Sequence, residues 1–353
     1  MNIQIQYTKI TILTLIVISS LIVLYLGITA STEEIEKAES IAKLKEIELG
    51  GMKQWVLIRG NDKSNPILLW LHGGPGGAQM PLAHHLDKKL EEEFVIVHWD
   101  QRGAGKSNHN AFDEDTMSLQ QFKNDAYQLV YYLKDKFDRD KIYLLGHSWG
   151  TQLGIEIVNQ YSDDFWAYIS VCQVVNSHRA IDIAYDWLKD KFKQAENHSG
   201  LDKLEEIKKA PYSHGQFRQL IQLVDAQGGS FDQGMWELAK VALRASEYNF
   251  VDYFRLLAGM DRGGGPMHKD GQISENDYLT KINSIEVPIY FFIGKKDYNT
   301  PFKLVKEYYE LIEAPKKELI IFKDSAHTPF LKETSKFNKE VIKVKEKTYF
   351  FEQ

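Results

Sequence analysis

The chain has 353 residues, of which 43% are hydrophobic and 26% charged, as in a globular protein with one large domain or two ordinary ones. The formal net charge of −6 shows no excess of Lys and Arg, which argues against nucleic acid as the main partner. The single cysteine, Cys172, excludes an intramolecular disulfide. Without a cysteine cluster or a His-Glu-x-x-His motif, a metal site has no support, and no cofactor is expected.

The amino-terminal segment is much more apolar than the rest of the chain. From Ile10 to Thr32 no side chain is charged, and about 20 apolar residues suffice to cross a bilayer as a helix. Lys9 precedes this run and four glutamates follow it within residues 33–39. The positive-inside rule therefore predicts a single-pass protein of the cell membrane, with residues 1–9 cytoplasmic, a transmembrane anchor over 10–30, a linker over 31–43 and the folded domain extracytoplasmic.

A cleaved signal peptide is the alternative interpretation of this segment. Residues Ile28-Thr29-Ala30 match a small-x-small cleavage site poorly, and the apolar run is longer than a usual signal core. The uncleaved anchor is favoured, although the sequence alone leaves cleavage open.

Beyond the linker, apolar runs typical of buried strands alternate with segments of helical periodicity. This alternation predicts a mostly parallel sheet with helices on both faces, over residues 44–175 and 280–353. The predicted strands are Leu44–Leu49, Gln54–Arg59, Ile67–Leu71, Phe94–Trp99, Lys141–Leu145, Ala167–Val175, Val287–Ile293 and Leu319–Phe322. The predicted helices are Leu119–Phe137, Gly150–Gln160, Pro301–Leu311 and Lys332–Lys347.

The alternation stops between residues 176 and 279. This stretch is rich in aromatic residues, and Ala180–Ala195 and Phe217–Val224 have the spacing of amphipathic helices. The pattern predicts a helical lid inserted after the fourth core strand, which is Ala167–Val175 when Ile67–Leu71 is counted as the first.

A short glycine-flanked motif follows the strand Lys141–Leu145. Gly146-His147-Ser148-Trp149-Gly150 fits the G-x-S-x-G nucleophile elbow, in which the serine occupies a strained strand-to-helix turn. A bare match is weak because Gly and Ser are common residues. Here the motif lies between an apolar strand and a plausible helix, as the elbow requires, so the sequence predicts Ser148 as a nucleophile.

Two further residues complete a possible catalytic triad. Asp297 directly follows the strand Val287–Ile293, and His327 follows the last predicted strand. The carboxyl ends of parallel strands share one edge of the sheet, so both side chains are expected near Ser148. We expect His327 to act as general base and Asp297 to orient it. Asp324, on the same loop as His327, is the alternative acid.

A glycine-rich loop, His72-Gly73-Gly74-Pro75-Gly76-Gly77, follows the first buried strand. Such a loop can direct backbone N–H groups into a site, and the N–H groups of Gly74 and Trp149 are expected to form an oxyanion hole. The loop lacks the Gly-Lys-Ser/Thr ending of a phosphate-binding loop.

Taken in order, these motifs resemble the proline iminopeptidase (prolyl aminopeptidase) family of the α/β-hydrolase fold. The resemblance runs from about Leu44 to Ile342 and is weakest in the lid. His147 is a departure, because the family usually has glycine before the serine, and the apolar amino-terminal segment is another. The matching motifs are His72-Gly73-Gly74-Pro75-Gly76, Trp99-Asp100-Gln101-Arg102-Gly103, Ser148-Trp149-Gly150, Asp297 and Ser325-Ala326-His327.

The resemblance implies a serine hydrolase that releases an N-terminal residue, often proline, from short peptides through an acyl-enzyme. It also implies that lid carboxylates hold the substrate's ammonium group. Gly73 and Glu237 are the candidate substrate-binding residues, with Glu247 and Asp252 as further candidates for the ammonium.

The expected partner is thus a short peptide or other small molecule. A carboxylesterase or lactonase acting on small acyl compounds is the first alternative, and a non-catalytic membrane-tethered binding protein is the second. The sequence leaves the preference for proline and the oligomeric state open.

Overall fold

A computed structural model describes residues 2–28, 30–109, 113–207, 214–231, 234–269 and 271–349. Within these ranges eight strands form one sheet in the order β1-β2-β4-β3-β5-β6-β7-β8. The strands β3 to β8 pair in parallel, whereas β2 pairs antiparallel with β1 and with β4, so the predicted mostly parallel sheet is confirmed. The strands are β1 (Ile41–Leu49), β2 (Met52–Gly60), β3 (Ile67–Leu71), β4 (Val95–Trp99), β5 (Ile142–His147), β6 (Phe165–Val171), β7 (Ile289–Gly294) and β8 (Lys317–Phe322).

The central strands are buried along their whole length. Every residue of β3, β4, β5 and β7 is buried, because helices cover both faces of the sheet. This is why these strands are continuous apolar runs in the sequence. The outermost strand β1 instead mixes buried and exposed residues and joins β2 through a tight turn at Gly50 and Gly51.

The flanking helices follow their predicted bounds closely. Helix α3 begins after Ser118, whose side chain accepts a hydrogen bond from the backbone N–H of Gln121, and it ends where Asp138 adopts a left-handed conformation. In the described residues the helices are α1 (Asn2–Ile28), α2 (Ala83–Leu86), α3 (Leu119–Phe137), α4 (Trp149–Gln160), α5 (Ser177–Gln194), α6 (His198–Ile207), α7 (His214–Ala226), α8 (Gly234–Ala242), α9 (Phe250–Arg262), α10 (Gly265–Lys269), α11 (Tyr278–Lys281), α12 (Phe302–Leu311), α13 (Pro329–Lys332) and α14 (Thr334–Thr348).

The described part of the segment between β6 and β7 contains helices α5 to α11, joined by loops. Helices α5, α6 and α7 share a small hydrophobic core of their own, separate from the core that surrounds the sheet. Its buried members include Leu188, Phe192, Leu204 and Leu220. We call residues 176–279 the helical insertion.

The amino-terminal segment requires a correction. Helix α1 covers it, and residues 7–22 are the part whose side chains are described. In the described part of the chain, no helix combines the length and apolarity needed to span a bilayer. This finding contradicts the predicted anchor over residues 10–30, and with it the predicted single-pass, extracytoplasmic placement at the cell membrane.

Candidate active site

Ser148 occupies a sharp turn between the end of β5 and the start of α4. Its backbone has φ 54° and ψ −121°, a conformation that residues with a side chain rarely adopt and that stores strain. The turn is possible because its two glycines lie against neighbouring backbone. A Cβ at Gly146 would lie 2.4 Å from the carbonyl oxygen of Gly150, and one at Gly150 would lie 2.2 Å from that of Leu71.

Asp297 and His327 form a buried pair. Their side chains come from the loops after β7 and β8, and His327 Nδ1 donates to Asp297 Oδ2 over 2.8 Å. Three further bonds fix the carboxylate: Oδ1 accepts from the N–H groups of Asn299 and Thr300, and Oδ2 accepts from the Thr300 hydroxyl. The rival acid Asp324 is exposed, and its backbone N–H donates to Glu333. The structure therefore brings Asp297 to His327.

The pair lies at the same edge of the sheet as Ser148. His147, the residue before Ser148, donates from Nε2 to the carbonyl oxygen of His327 over 2.9 Å. Thr300, which bonds Asp297, lines the same cavity as Ser148. The three residues predicted as a triad thus gather at one place, as the parallel topology requires.

The glycine-rich loop after β3 passes directly over the turn. A Cβ on Gly73 would lie 3.2 Å from the Cβ of Ser148, and Gly74 lines the cavity together with Ser148 and Trp149. The predicted oxyanion-hole residues, Gly74 and Trp149, therefore border the same cavity as Ser148. Gly73 contacts the turn without lining the cavity.

A buried hydrogen-bond network around Gln101 holds the start of the glycine-rich loop. Gln101 accepts from Trp149 Nε1 over 3.0 Å, and its own amide donates to the carbonyl oxygen of His72 over 3.1 Å. The backbone N–H of Gln101 donates to Nε2 of His72 over 3.2 Å. Burial lowers the pKa of His72 to about 4, so its imidazole is neutral and Nε2 can accept this bond. The network connects Trp149 and the first residue of the glycine-rich loop to Gln101.

The cavity beside Ser148 has a volume of about 160 Å³ and a largely apolar lining. Val174, Ile181, Leu220 and Ile221 are among its apolar walls. Of the described residues that line it, only Glu275 carries a carboxylate. Its side chain is 73% exposed and lies 3.5 Å from Nε2 of His178, which also lines the cavity.

The carboxylates predicted from the sequence lie elsewhere. Glu237 is not among the cavity residues; its side chain is 58% exposed and pairs with Lys240 one turn along α8. Glu247 is buried and accepts from the hydroxyl of Thr32. No motif distinguishes Glu275 in the sequence, because only the path of the chain between α10 and α11 brings it to the cavity.

Asp252 belongs to a second buried cluster, which joins the helical insertion to the sheet. It caps helix α9 and forms an ion pair with Lys106. Asp100 accepts hydrogen bonds from the Tyr248 hydroxyl and from the backbone N–H of Lys106, and burial raises the pKa of Asp100 to about 7. All of these residues are buried, so Asp252 holds the insertion against the core and is not open to the cavity.

One group of possible metal ligands occurs among the described residues. Ligand atoms of His147, Cys172 and His327 lie within 4.8 Å of one another. His147 Nε2 and Cys172 Sγ both donate to the carbonyl oxygen of His327, and His327 Nδ1 donates to Asp297. Burial raises the pKa of the Cys172 thiol, which disfavours the thiolate that a metal needs. We therefore assign these side chains to hydrogen bonding and no metal to this group.

Comparisons with known proteins identify the family. Residues 66–334 match the family described as alpha/beta hydrolase fold. "Probable aminopeptidase YbaC" of Bacillus subtilis (strain 168) is 34% identical over 86% of this chain and 96% of its own length. A proline iminopeptidase of Heyndrickxia coagulans is 23% identical over 82% of this chain and 93% of its own length.

A solved structure shares the fold. The proline iminopeptidase-related protein of Thermus thermophilus superposes with a TM-score of 0.63 at 18% identity, over 87% of this chain and 98% of that one. The resemblance expected from the motifs is thereby confirmed, and the chain is a hydrolase. It belongs to the α/β-hydrolase fold family and, within it, groups with relatives named aminopeptidase and proline iminopeptidase.

Proposed function

We propose that the chain is a serine hydrolase that cleaves an amide or ester bond through an acyl-enzyme on Ser148. The observation that carries this proposal is the strained Ser148 turn, which faces a cavity beside a buried Asp297–His327 pair. Asp297 accepts from Nδ1 of His327, which leaves Nε2 free of a proton and able to take the one on the Ser148 hydroxyl.

In this proposal each step of the reaction is assigned to a group of this site. Ser148 Oγ attacks the substrate carbonyl while His327 Nε2 takes its proton. The N–H groups of Gly74 and Trp149 stabilise the oxyanion that forms. The protonated His327 then gives its proton to the leaving amine or alcohol, and the carbonyl reforms as the acyl-enzyme. Water, deprotonated by His327, releases the acyl group and restores Ser148.

We propose further that the substrate is a short peptide from which an N-terminal residue is removed. The names of the relatives support this interpretation, and so does the carboxylate of Glu275 at the cavity. A substrate ammonium that leaves water needs a partner of opposite charge. In this proposal Glu275 takes the role that the sequence had suggested for Glu237, and the apolar walls hold the side chain of the released residue.

The helical insertion, residues 176–279, acts in this proposal as a lid over the core of residues 44–175 and 280–353. Helix α9 lies against the glycine-rich loop so closely that a Cβ on Gly76 would be 2.1 Å from the carbonyl oxygen of Gly259. Residues of α5 and α7 line the cavity together with Ser148. The lid therefore determines the size of the acyl group that fits.

The aminopeptidase proposal is tested by comparing a prolyl or alanyl arylamide with its N-acetylated counterpart. We expect the free amine to be cleaved at least about tenfold better, because acetylation removes the charge that Glu275 pairs with. Glu275→Gln should raise KM for the free amine and leave turnover of a short aryl ester nearly unchanged. Glu237→Gln, a matched change at a carboxylate outside the cavity, should behave as wild type.

The mostly apolar lining also supports a second candidate, a carboxylesterase for small acyl compounds. It predicts equal or faster cleavage of the acetylated arylamide and no effect of Glu275→Gln on either substrate. That outcome would remove the aminopeptidase proposal and leave the serine mechanism standing. The mechanism itself fails if Ser148→Ala retains substantial turnover.

A further inference from the structure

His147 is a buried residue between the proposed nucleophile and the proposed base. It ends β5, directly before Ser148, and its ring packs against His327 with centroids 4.9 Å apart. The ring of Phe330 also packs edge-on against that of His147, with centroids 4.8 Å apart. The imidazole thus fills the space between the strand that holds the serine and the loop that holds the histidine.

Both ring nitrogens of His147 form hydrogen bonds. Nε2 donates to the carbonyl oxygen of His327 over 2.9 Å, and Nδ1 lies 3.3 Å from the side-chain amide nitrogen of Gln79. A carbonyl can only accept, so the proton is on Nε2, and Nδ1 accepts from Gln79. Burial holds the pKa of His147 well below its usual range, which keeps the ring in this neutral form.

The backbone of His327 depends on contacts of this kind. The residue lies in the irregular loop between β8 and α13, where no helix or strand fixes its position. Its carbonyl oxygen accepts from His147 Nε2 and more weakly from Cys172 Sγ over 3.3 Å, while its N–H donates to the carbonyl oxygen of Ser230 over 2.9 Å. Of these three contacts, only the one from His147 comes from the residue adjoining the serine.

We propose that His147 is a positioning residue that sets the distance between Ser148 and His327 by holding the His327 carbonyl. The inference rests on the proposed serine mechanism and adds a residue to it. The family that the chain resembles usually has glycine here, and glycine has no side chain to make this bond.

The test separates the hydrogen bond from simple space filling. His147→Phe keeps a ring of similar size and removes the donor, whereas His147→Gln keeps an N–H group close to the position of Nε2. We expect His147→Phe to lower kcat on a short aryl ester on the order of 10²-fold, because a displaced base costs about that much, with KM changed less than about twofold. The rate of inactivation by a fluorophosphonate should fall in parallel, and His147→Gln should recover most of both rates.

A matched control is available at His98, a second buried histidine that pairs with Asp87, stacks on Trp70 and does not line the cavity. His98→Phe should lower the Tm while leaving kcat per folded molecule unchanged. If His147→Phe does not fold, His147→Asn replaces it, because its shorter amide does not reach the His327 carbonyl oxygen. The His147→Asn variant should then turn over the aryl ester slowly, whereas His147→Gln should turn it over fast.

Three outcomes decide between the alternatives. Wild-type kcat in His147→Phe overturns the inference, and so does equal impairment of the Phe and Gln variants, which would show that shape alone matters. Either result leaves the serine mechanism intact as long as Ser148→Ala is inactive. Turnover by Ser148→Ala would instead overturn the mechanism and the inference together.

Discussion

Asp297→Asn probes the hydrogen bonds that define the proposed base. The native carboxylate accepts four bonds, two at each oxygen, and the bond at Oδ2 fixes the proton of His327 on Nδ1. The backbone N–H groups of Asn299 and Thr300 require an oxygen at the Oδ1 position. They therefore force the new amide nitrogen to face His327, which must then accept at Nδ1 and carry its proton on Nε2. In that tautomer it cannot take the proton of Ser148.

The expected loss is about 10⁴-fold in kcat, or roughly 5.5 kcal/mol of transition-state stabilisation. The assay is turnover of a short aryl ester by the purified full chain, with Tm measured alongside to exclude unfolding. Asp324→Asn is the matched control because Asp324 is exposed and on the same loop as His327, and its rate should stay within about twofold of wild type. A loss below tenfold in Asp297→Asn, or a larger loss in Asp324→Asn, would refute the assignment of the acid.

Two further predictions concern stability. The pKa of His72 is about 4 in the folded chain and 6.5 ordinarily, so between these pH values the unfolded chain binds a proton more readily than the folded chain. The stability that neutral His72 provides above pH 6.5 is therefore lost as the pH falls towards about 4. Between pH 7 and 5 the free energy of unfolding in urea should fall roughly 2 kcal/mol more for wild type than for His72→Gln; equal changes would contradict the assignment. Arg102 forms two hydrogen bonds to Asp125 in a buried ion pair, so Arg102→Ala should lower the free energy of unfolding by about 3–5 kcal/mol. Lys89→Ala, at the exposed Lys89–Glu92 pair, should lower it by less than about 1 kcal/mol. Similar losses for the two alanine variants would show that the Arg102 pair is not desolvated.

The sheet could be predicted from the sequence because a strand that is buried on both faces consists of consecutive, mostly apolar residues. β3 matches its predicted bounds, and β4, β5 and β7 lie within two residues of theirs. The grouping of Ser148, Asp297 and His327 could also be predicted, since parallel strands put their carboxyl ends at one edge. The order of the strands and helices along the chain is enough to predict that these three residues lie close together, and side-chain packing need not be known.

The substrate side of the site could not be predicted in the same way. Whether a carboxylate on an insertion helix faces the cavity depends on how the helices pack, and sequence spacing does not contain that information. Glu237 pairs with Lys240 on the surface, while Glu275 reaches the cavity from a segment without regular periodicity. The prediction from composition was also wrong at the amino terminus. The uncharged run there indicated a transmembrane anchor, which the described part of α1 does not support.

The identity of the nucleophile is the central claim, and covalent labelling tests it most directly. The folded full chain is treated with a fluorophosphonate, and the modified residue is located by peptide mass spectrometry. The strained turn, the cavity and the Asp297–His327 pair predict one stoichiometric adduct on Ser148, absent in Ser148→Ala and formed much more slowly in Asp297→Asn. An adduct on another residue, or no adduct in a chain that hydrolyses esters, would contradict the account.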